Sequence, residues 1–481
     1  MNHKIALAPL MMALVLAGCA TAPKPPDVKI ALPAAYKEAA TVDASRWKPA
    51  QPAEYQARGD WWLVFQDAQL NELEQQARTA SPDLAAAAAR VKAARATLGI
   101  NQASRLPQVD LNAGVTRQKS SAATAGLPAG TQVPPVTVWQ GGVSASYEID
   151  LFQRVAHGID AATFDAAATQ ASYQSVLLAL QADVAQAYYQ LRSLDAEMAL
   201  LERGLRLREQ TLKLIQKRRE IGDVSELDVS RAQTELATTR AEWQGLKGSR
   251  ARTEHALALL VGQMPSGFAL TPEPLTDATV VPDVPAGLPS ALLERRPDVA
   301  AAQAQMMAAT ARVGEARSAL FPAFSLTANG GSASYELKDL FAWSTRSWVA
   351  SAVLSLPLFD GGRNRAHIAR TEALLEASAA SYQQSVLAAF GDVEDKLATL
   401  GAVREQASSL SEAVVAARRS ADLADKRYRA GEDSFLTLLD AQRSLLAVER
   451  QALQSRGVWA TSTVGLIRAL GGGWQASASG G

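Results

Sequence analysis

Ser81-Pro82-Asp83-Leu84 opens an alanine-rich stretch, and 215 residues later Arg296-Pro297-Asp298-Val299 opens another. The same offset pairs Gly99 with Gly314, Pro107 with Pro322 and Leu111 with Leu326. Leu151-Phe152 then answers Leu358-Phe359. At a shift of 209, Gly222 answers Gly431, Ser225 answers Ser434, Leu227 answers Leu436 and Ala232-Gln233 answers Ala441-Gln442. Self-similarity over most of a chain outranks any local motif. It divides this one into two repeats, 81–261 and 296–472, joined at 262–295 by a linker rich in Pro and Asp.

Inside each repeat the hydrophobic period runs from helical to alternating and back. Pro82 and Pro297 stand where proline starts a helix, each followed by an Asp that suits the positive end of the dipole. The spacing predicts helices of about 24 residues ending near Pro107 and Pro322. Alternation follows: Val109, Leu111, Ala113 and Val115 against Asp110, Asn112 and Thr116, then Val143, Ala145, Tyr147 and Ile149 against Ser144, Ser146, Glu148 and Asp150. In the second repeat Phe324, Leu326 and Ala328 alternate with Ser325, Thr327 and Asn329. Trp348, Ala350, Ala352, Leu354 and Leu356 alternate less cleanly because Val353 interrupts.

A half-buried strand on a soluble sandwich shows the same alternation, so context decides. The first residues read as an export signal: Lys4, a short apolar run from Ile5 to Val15, then Leu16-Ala17-Gly18-Cys19. The run is too short to span a bilayer as a helix. Small residues before a cysteine resemble the bacterial lipoprotein box, which makes Cys19 the acylated mature N-terminus. Ala20 after it favours the outer membrane, and Pro23 to Pro33 reads as an extended leash. In an exported chain, strands of about 9 to 13 residues with Trp139, Tyr147, Trp343 and Trp348 near their ends fit an outer-membrane barrel. Four strands cannot close, because a barrel in lipid leaves no edge. Two chains would give eight strands and an interior filled by side chains; three give twelve strands and room for water.

Each strand pair precedes a long proline-free stretch, roughly Val155 to Arg219 and Arg363 to Arg429, on the order of 100 Å as helix. The return stretches, Ser225 to Val261 and Ser434 to Leu470, reach only about 55 Å, and the proline-started helices add about 36 Å. Two short helices laid end to end thus match one long helix. Small residues at Ala182, Ala185, Ala187, Ala388, Ala389 and Ala398 suit close coiled-coil packing. Where the long and return helices meet, Arg218 to Ser225 and Arg427 to Ser434 read as tight turns. Gly222 and Gly431 supply the left-handed residue, and Ser225 and Ser434 the next cap. Three copies form a ring of six such tips, a place for closure or for a partner protein.

Composition excludes more than it proposes. Among 481 residues, 48 Lys+Arg balance 48 Asp+Glu, with four His and one Cys. A disulfide framework, thiolate zinc or iron–sulfur sites and Cys-x-x-Cys redox chemistry are excluded. Formal neutrality argues against nucleic acid. There is no Walker A loop, GxSxG elbow or HExxH, and no His with a suitable partner, so neither enzyme activity nor a cofactor or metal is expected. His157 and His367 occupy equivalent positions after the strands, where a shared structural role is expected.

Taken together, the lipoprotein box, Gly59-Asp60-Trp61-Trp62 with Phe65, Asp67, Leu70 and Leu73, the duplicated Pro-Asp helices, and Tyr428-Arg429-Ala430-Gly431 through Leu438-Leu439-Asp440-Ala441-Gln442 resemble the TolC-like outer membrane factors. The resemblance spans nearly the whole chain and is closest to their lipoprotein branch, the NodT-type efflux outer membrane lipoproteins. It implies an α+β membrane protein: a homotrimer whose twelve-stranded outer-membrane β-barrel, four strands per chain, continues into a long α-helical periplasmic barrel. Residues 1–18 are then a signal peptide, 19–80 a lipidated leash and the start of an equatorial region, 262–295 the linker with more of that region, and 473–481 a tail. The implied partners are outer-membrane lipid, a periplasmic adaptor (membrane fusion) protein and a resistance-nodulation-division pump of the inner membrane.

The resemblance also implies a periplasmic gate held by tyrosine, acidic and basic side chains. Asp228, six residues after Gly222, matches its acidic position, Tyr428 its latch tyrosine and Asp440 an inner acidic ring; Asp433 and Thr437 depart from the family pattern. The tips at Arg218, Gly222, Ser225, Arg427, Gly431 and Ser434 are expected to dock the adaptor. The implied function is an export duct for drugs, solvents or other toxic compounds. Type I protein secretion and a periplasmic helical scaffold that never perforates the membrane are the alternatives.

Overall fold

In the computed structural model the described residues are 24–28, 36–38, 60–128, 130–276, 278–282, 284 and 295–472. The signal peptide, Cys19, most of the leash and the C-terminal tail lie outside them. After a 3₁₀ turn (Trp61–Phe65) come α1 (Ala68–Ala80), α2 (Pro82–Ala103), β1 (Gln108–Gln118), β2 (Val136–Ile149), α3 (Arg154–Glu220) and α4 (Glu226–Leu260). The second repeat gives α5 (Pro297–Ser318), β3 (Ala323–Ser334), β4 (Arg346–Ser355), α6 (Arg363–Arg429) and α7 (Phe435–Ala469). The long helices α3 and α6 have 67 residues each, the return helices α4 and α7 have 35, and the proline-started α2 and α5 have 22.

Both proline-started helices stop short of the next proline. Ser104, Arg105 and Leu106 donate to carbonyls three residues back, and Ala319, Leu320 and Phe321 repeat the pattern. The residue before a proline avoids the α region, so the last turn tightens and the chain leaves it extended.

The strands form one antiparallel sheet in the order β1-β2-β3-β4. Paired residues share a face, so the register turns the sequence alternation into two surfaces. Leu111 pairs with Val143, Val143 with Gly330 and Gly330 with Trp348; two residues on, Ala145 lies between Val109 and Ala328. The opposite face carries Asn112, Ser144, Ser146, Glu148, Ser325, Thr327 and Asn329. Val349 and Val353 also fall there, opposite Asn329 and Ser325, which accounts for the blurred alternation of β4. Among the described residues the outer edges of β1 and β4 have no strand beside them.

The described residues divide into two compact units, with the divisions inside α2, α3, α5 and α6. One contains the sheet with the helix segments 90–103, 154–170, 301–318 and 363–382. There α2 reaches α3 through Arg95 and Gln170, α3 reaches α5 through Asp165 and Arg312, and α5 reaches α6 through Arg317 and Glu372. Met306, Ala309, Val313 and Leu375 pack together with Val28 against them.

The other unit is built on the motif at Trp61. Trp61, Trp62, Phe65, Leu70, Leu73 and Ala77 are buried against Tyr188, Tyr189 and Ala185 of α3 and Ala460, Val464 and Ile467 of α7. Asp67 caps α1 by accepting from the amides of Gln69 and Leu70 at 3.1 Å, and it also accepts from Tyr188 Oη and, at 2.6 Å, from Arg192 Nη1. One side chain therefore starts a helix and ties it to α3.

Candidate functional site

The helix tips follow from their sequence. Gly222 has φ +80° and Gly431 φ +76°, a conformation that costs a residue with a Cβ. Asp223 N donates to Arg218 O at 2.9 Å and Glu432 N to Arg427 O at 2.9 Å, the pattern of a glycine-closed helix end. Ser225 and Ser434 then accept from the amides of Asp228 and Thr437. All six tip residues expected to dock an adaptor thus serve or flank the two turns. Arg427 lies 3.7 Å from Asp433, and Arg218 Nε donates to Asp223 at 2.5 Å.

The gate candidates fall into different settings. Asp228 completes a capping box: its Oδ2 accepts from Ser225 N at 3.3 Å and Ser225 Oγ at 2.8 Å, with Arg231 3.5 Å away. No hydrogen bond joins Asp228 to Tyr428 within the chain. Tyr428 is buried among Ile215, Val229, Phe435, Leu438 and Leu439, and the Arg218 guanidinium lies 4.9 Å from its ring centroid. Its hydroxyl has no hydrogen-bond partner among the described residues. Burial raises the phenol pKa above its ordinary value, and Arg218 opposes the rise.

Asp433 and Thr437, expected to depart from the latch pattern, both contact Ser434: Asp433 Oδ1 accepts from the Ser434 amide at 2.9 Å, and Thr437 Oγ1 lies 3.1 Å from Ser434 Oγ. The Thr437 side chain and the Ser434 amide hold the Asp433 carboxyl below its usual pKa. Asp440 is exposed on α7, 3.5 Å from Arg443.

Three residues the sequence reading missed complete the region. Glu235 of α4 is buried between Arg208 of α3 and Arg443 of α7, with Arg443 Nε donating at 2.8 Å. Burial by itself would raise the Glu235 pKa; hydrogen bonds from Arg443 and Arg208 more than reverse this and hold it low. The repeat carried a signal for this cluster: at the 209 shift Arg443 stands opposite Thr234 and Glu235 opposite Ser444, so opposite charges break the duplication at adjacent positions. A second cluster, Asp195 with Arg250 at 2.7 Å and Glu254 with Arg250 at 3.0 Å, ties α3 to α4 near the linker.

The duplicated histidines part company. His157 is buried, and a Cβ placed on Gly314 would lie 2.9 Å from its Cδ2, so α3 and α5 meet closely there. Their sequence equivalents, His367 on α6 and Gly99 on α2, are both exposed, and none of the described residues comes within 4 Å of a Cβ placed on Gly99.

Among the described residues no helix is long and apolar enough to cross a membrane, and no group of His, Cys, Asp or Glu could hold a metal ion. A two-faced antiparallel sheet on duplicated long helices defines the outer-membrane channel class of α+β membrane proteins. The outer membrane efflux protein family model matches residues 73–263 and 288–472, and the chain belongs to that family. The toluene efflux pump outer membrane protein TtgC of Pseudomonas putida is 34% identical over 467 residues, covering 96% of this chain and 94% of that protein. OprJ, an outer membrane protein of Pseudomonas aeruginosa, is 33% identical over 470 residues, 97% and 95% of the two chains. Among solved structures the outer-membrane channel OprN superposes with a TM-score of 0.83 at 31% identity, covering 94% of this chain and 98% of that one. This is an outer-membrane efflux channel protein, not an enzyme.

Proposed function

We propose that three copies of the chain close a twelve-stranded, water-filled barrel and serve as the exit duct of a tripartite efflux system. A periplasmic adaptor docks on the helix tips, and an inner-membrane pump of the resistance-nodulation-division type supplies drugs, solvents or other toxic compounds. The observation that carries this reading is the unequal fate of equivalent contacts. Within the chain α2 meets α3, α3 meets α5 and α5 meets α6. By the repeat, α6 should meet a second α2 as α3 meets α5, and the chain has no second α2. His367 and Gly99 are left open as the two halves of a contact that His157 and Gly314 complete. The sheet is unfinished in the same sense, with β1 and β4 each exposing an edge that lipid cannot satisfy. A cyclic assembly fills both sets of vacancies with one operation.

The polar sheet face then lines the bore and the oily face meets lipid. The orphan hydroxyl of Tyr428, with Asp228 and Asp440, belongs to the closure at the tips, where three copies of Asp440 around a narrow bore favour cations. Acylation at Cys19 adds a second membrane attachment. TtgC is named for toluene efflux, which favours small apolar cargo over secreted protein. Single-channel recording of the detergent-purified, full-length protein tests the duct. Discrete, cation-preferring conductance steps from a trimer support it, and a protein that leaves bilayers non-conducting overturns it in favour of a scaffold.

A further inference from the structure

The oily face of the sheet ends in unpaired cations. Arg346 lies in register with Ser332, Gly141 and Ala113, on the same face as Trp348 and two residues farther from the helices. Arg117 follows Val115 on that face, opposite Thr137, and Lys119 comes two residues later, just past the end of β1. From Ile149 to Trp139 the apolar face covers ten strand steps. At the usual rise and a barrel tilt of about 40° that is about 26 Å, the height of an outer-membrane apolar band. Arg117 and Lys119 therefore stand at its far margin, the end that bears the strand-connecting loops, and Arg346, level with Gly141 two residues inside Trp139, ends the apolar face of β4.

The margin is also aromatic. Tyr335, Phe341, Trp343 and Trp348 are all more than two-thirds exposed, and the Arg346 guanidinium rests 4.8 Å from the Trp343 ring centroid. No carboxylate pairs with Arg117, Lys119 or Arg346 among the described residues. The loop 119–135 contains no acidic residue. The loop between β3 and β4 contributes Glu336, which takes Lys338 at 2.6 Å, and Asp339.

We infer that this rim binds the phosphate groups of anionic lipid in the outer leaflet, with Arg117, Lys119 and Arg346 as the phosphate ligands and the indoles of Trp343 and Trp348 against the lipid's apolar part. The inference rests on the proposed orientation, loops outward, and on cyclic closure. Closure sets β4, which carries Arg346, beside the β1 of the next copy, which carries Arg117 and Lys119, so the cations of two edges share one seam. Guanidinium groups match phosphate oxygens in pairs, and tryptophan prefers the headgroup level. Free phosphate would satisfy the cations and leave the indoles in water, whereas a phosphorylated lipid covers both.

Native mass spectrometry of the delipidated full-length trimer tests this. The probes are a diphosphorylated glycolipid of the lipid A kind, the same glycolipid without phosphates, and inorganic phosphate. The expected result is about tenfold tighter binding of the phosphorylated lipid, a preference abolished in the R117Q/K119Q/R346Q variant, whose conductance matches the parent. Equal binding of the two lipids, a preference retained by the variant, or complete competition by millimolar inorganic phosphate overturns the inference. Conductance of the parent in a bilayer of phosphate-free lipid separates the two readings: a protein that conducts without a lipid preference fails the rim alone, and one that does not conduct fails the duct.

Discussion

Arg443 Nε donates to Glu235 Oε1 at 2.8 Å, joining the return helix of the second repeat to that of the first. Arg208 of α3 holds the other carboxylate oxygen, so one buried acid pins α3, α4 and α7 together. A carboxylate so placed is a lock in both the energetic and the positional sense. Removing it strands two arginines, and any outward swing of α7 relative to α4 must break the Arg443 contact.

Glu235→Ala should therefore destabilise the helical unit by about 3 to 5 kcal/mol, the usual loss when one member of a buried ion pair is removed. Arg443→Met, which leaves Glu235 paired with Arg208, should cost less and raise single-channel conductance. A thermal melt and a conductance histogram read the two effects separately. An Arg443→Met channel with unaltered conductance would release this contact from any part in gating.

Tyr428 and Asp440 make a second test. Tyr428→Phe removes a hydroxyl that has no hydrogen-bond partner among the described residues, so the stability of each copy should change by less than about 1 kcal/mol. Together with Asp440→Asn it should increase conductance and sensitise cells to vancomycin, which an intact envelope excludes. Unchanged conductance in the double variant would place both residues outside the gate.

Glu74 is fully buried with neither carboxylate oxygen hydrogen-bonded among the described residues, and burial, opposed by Arg78, pushes its pKa up to about 9. A carboxyl whose folded pKa exceeds its unfolded value contributes its full stability below about pH 4.5 and loses it as pH rises toward 9. At pH 7 the loss is about 3 kcal/mol at 1.36 kcal/mol per unit. Glu74→Gln should accordingly raise the melting temperature at pH 8 and leave it nearly unchanged at pH 4.5. Melts that respond equally at both pH values would contradict a neutral buried acid.

Much of this architecture was legible before the structure. The Pro-Asp starts, the alternating segments and the Gly-and-Ser turns each combine a local backbone requirement with a residue type that meets it, and the duplication printed every signal twice. Helix ends Arg363 and Arg429 coincide with the reading from sequence, while α2 and α5 stop early because the pre-proline turn tightens. The Glu235 cluster was not legible because its members lie on three helices whose mutual rotation only packing sets. The divergence of His157 from His367 was hidden for a related reason: repeats equate residues, and burial depends on which neighbours one chain can supply.

Closure by three copies is most directly tested at Gly99 and His367. Cys19, the only native cysteine, is the proposed acylation site, so a G99C/H367C protein presents two free thiols per copy to a short bifunctional thiosulfonate reagent. Unheated electrophoresis first verifies that the variant retains the assembled species. After denaturation the account predicts a covalent ladder of one, two and three chains that ends at three, with no crosslinking in either single variant. A product that stops at two chains, one that continues past three, or an assembled species that yields only monomer would contradict it.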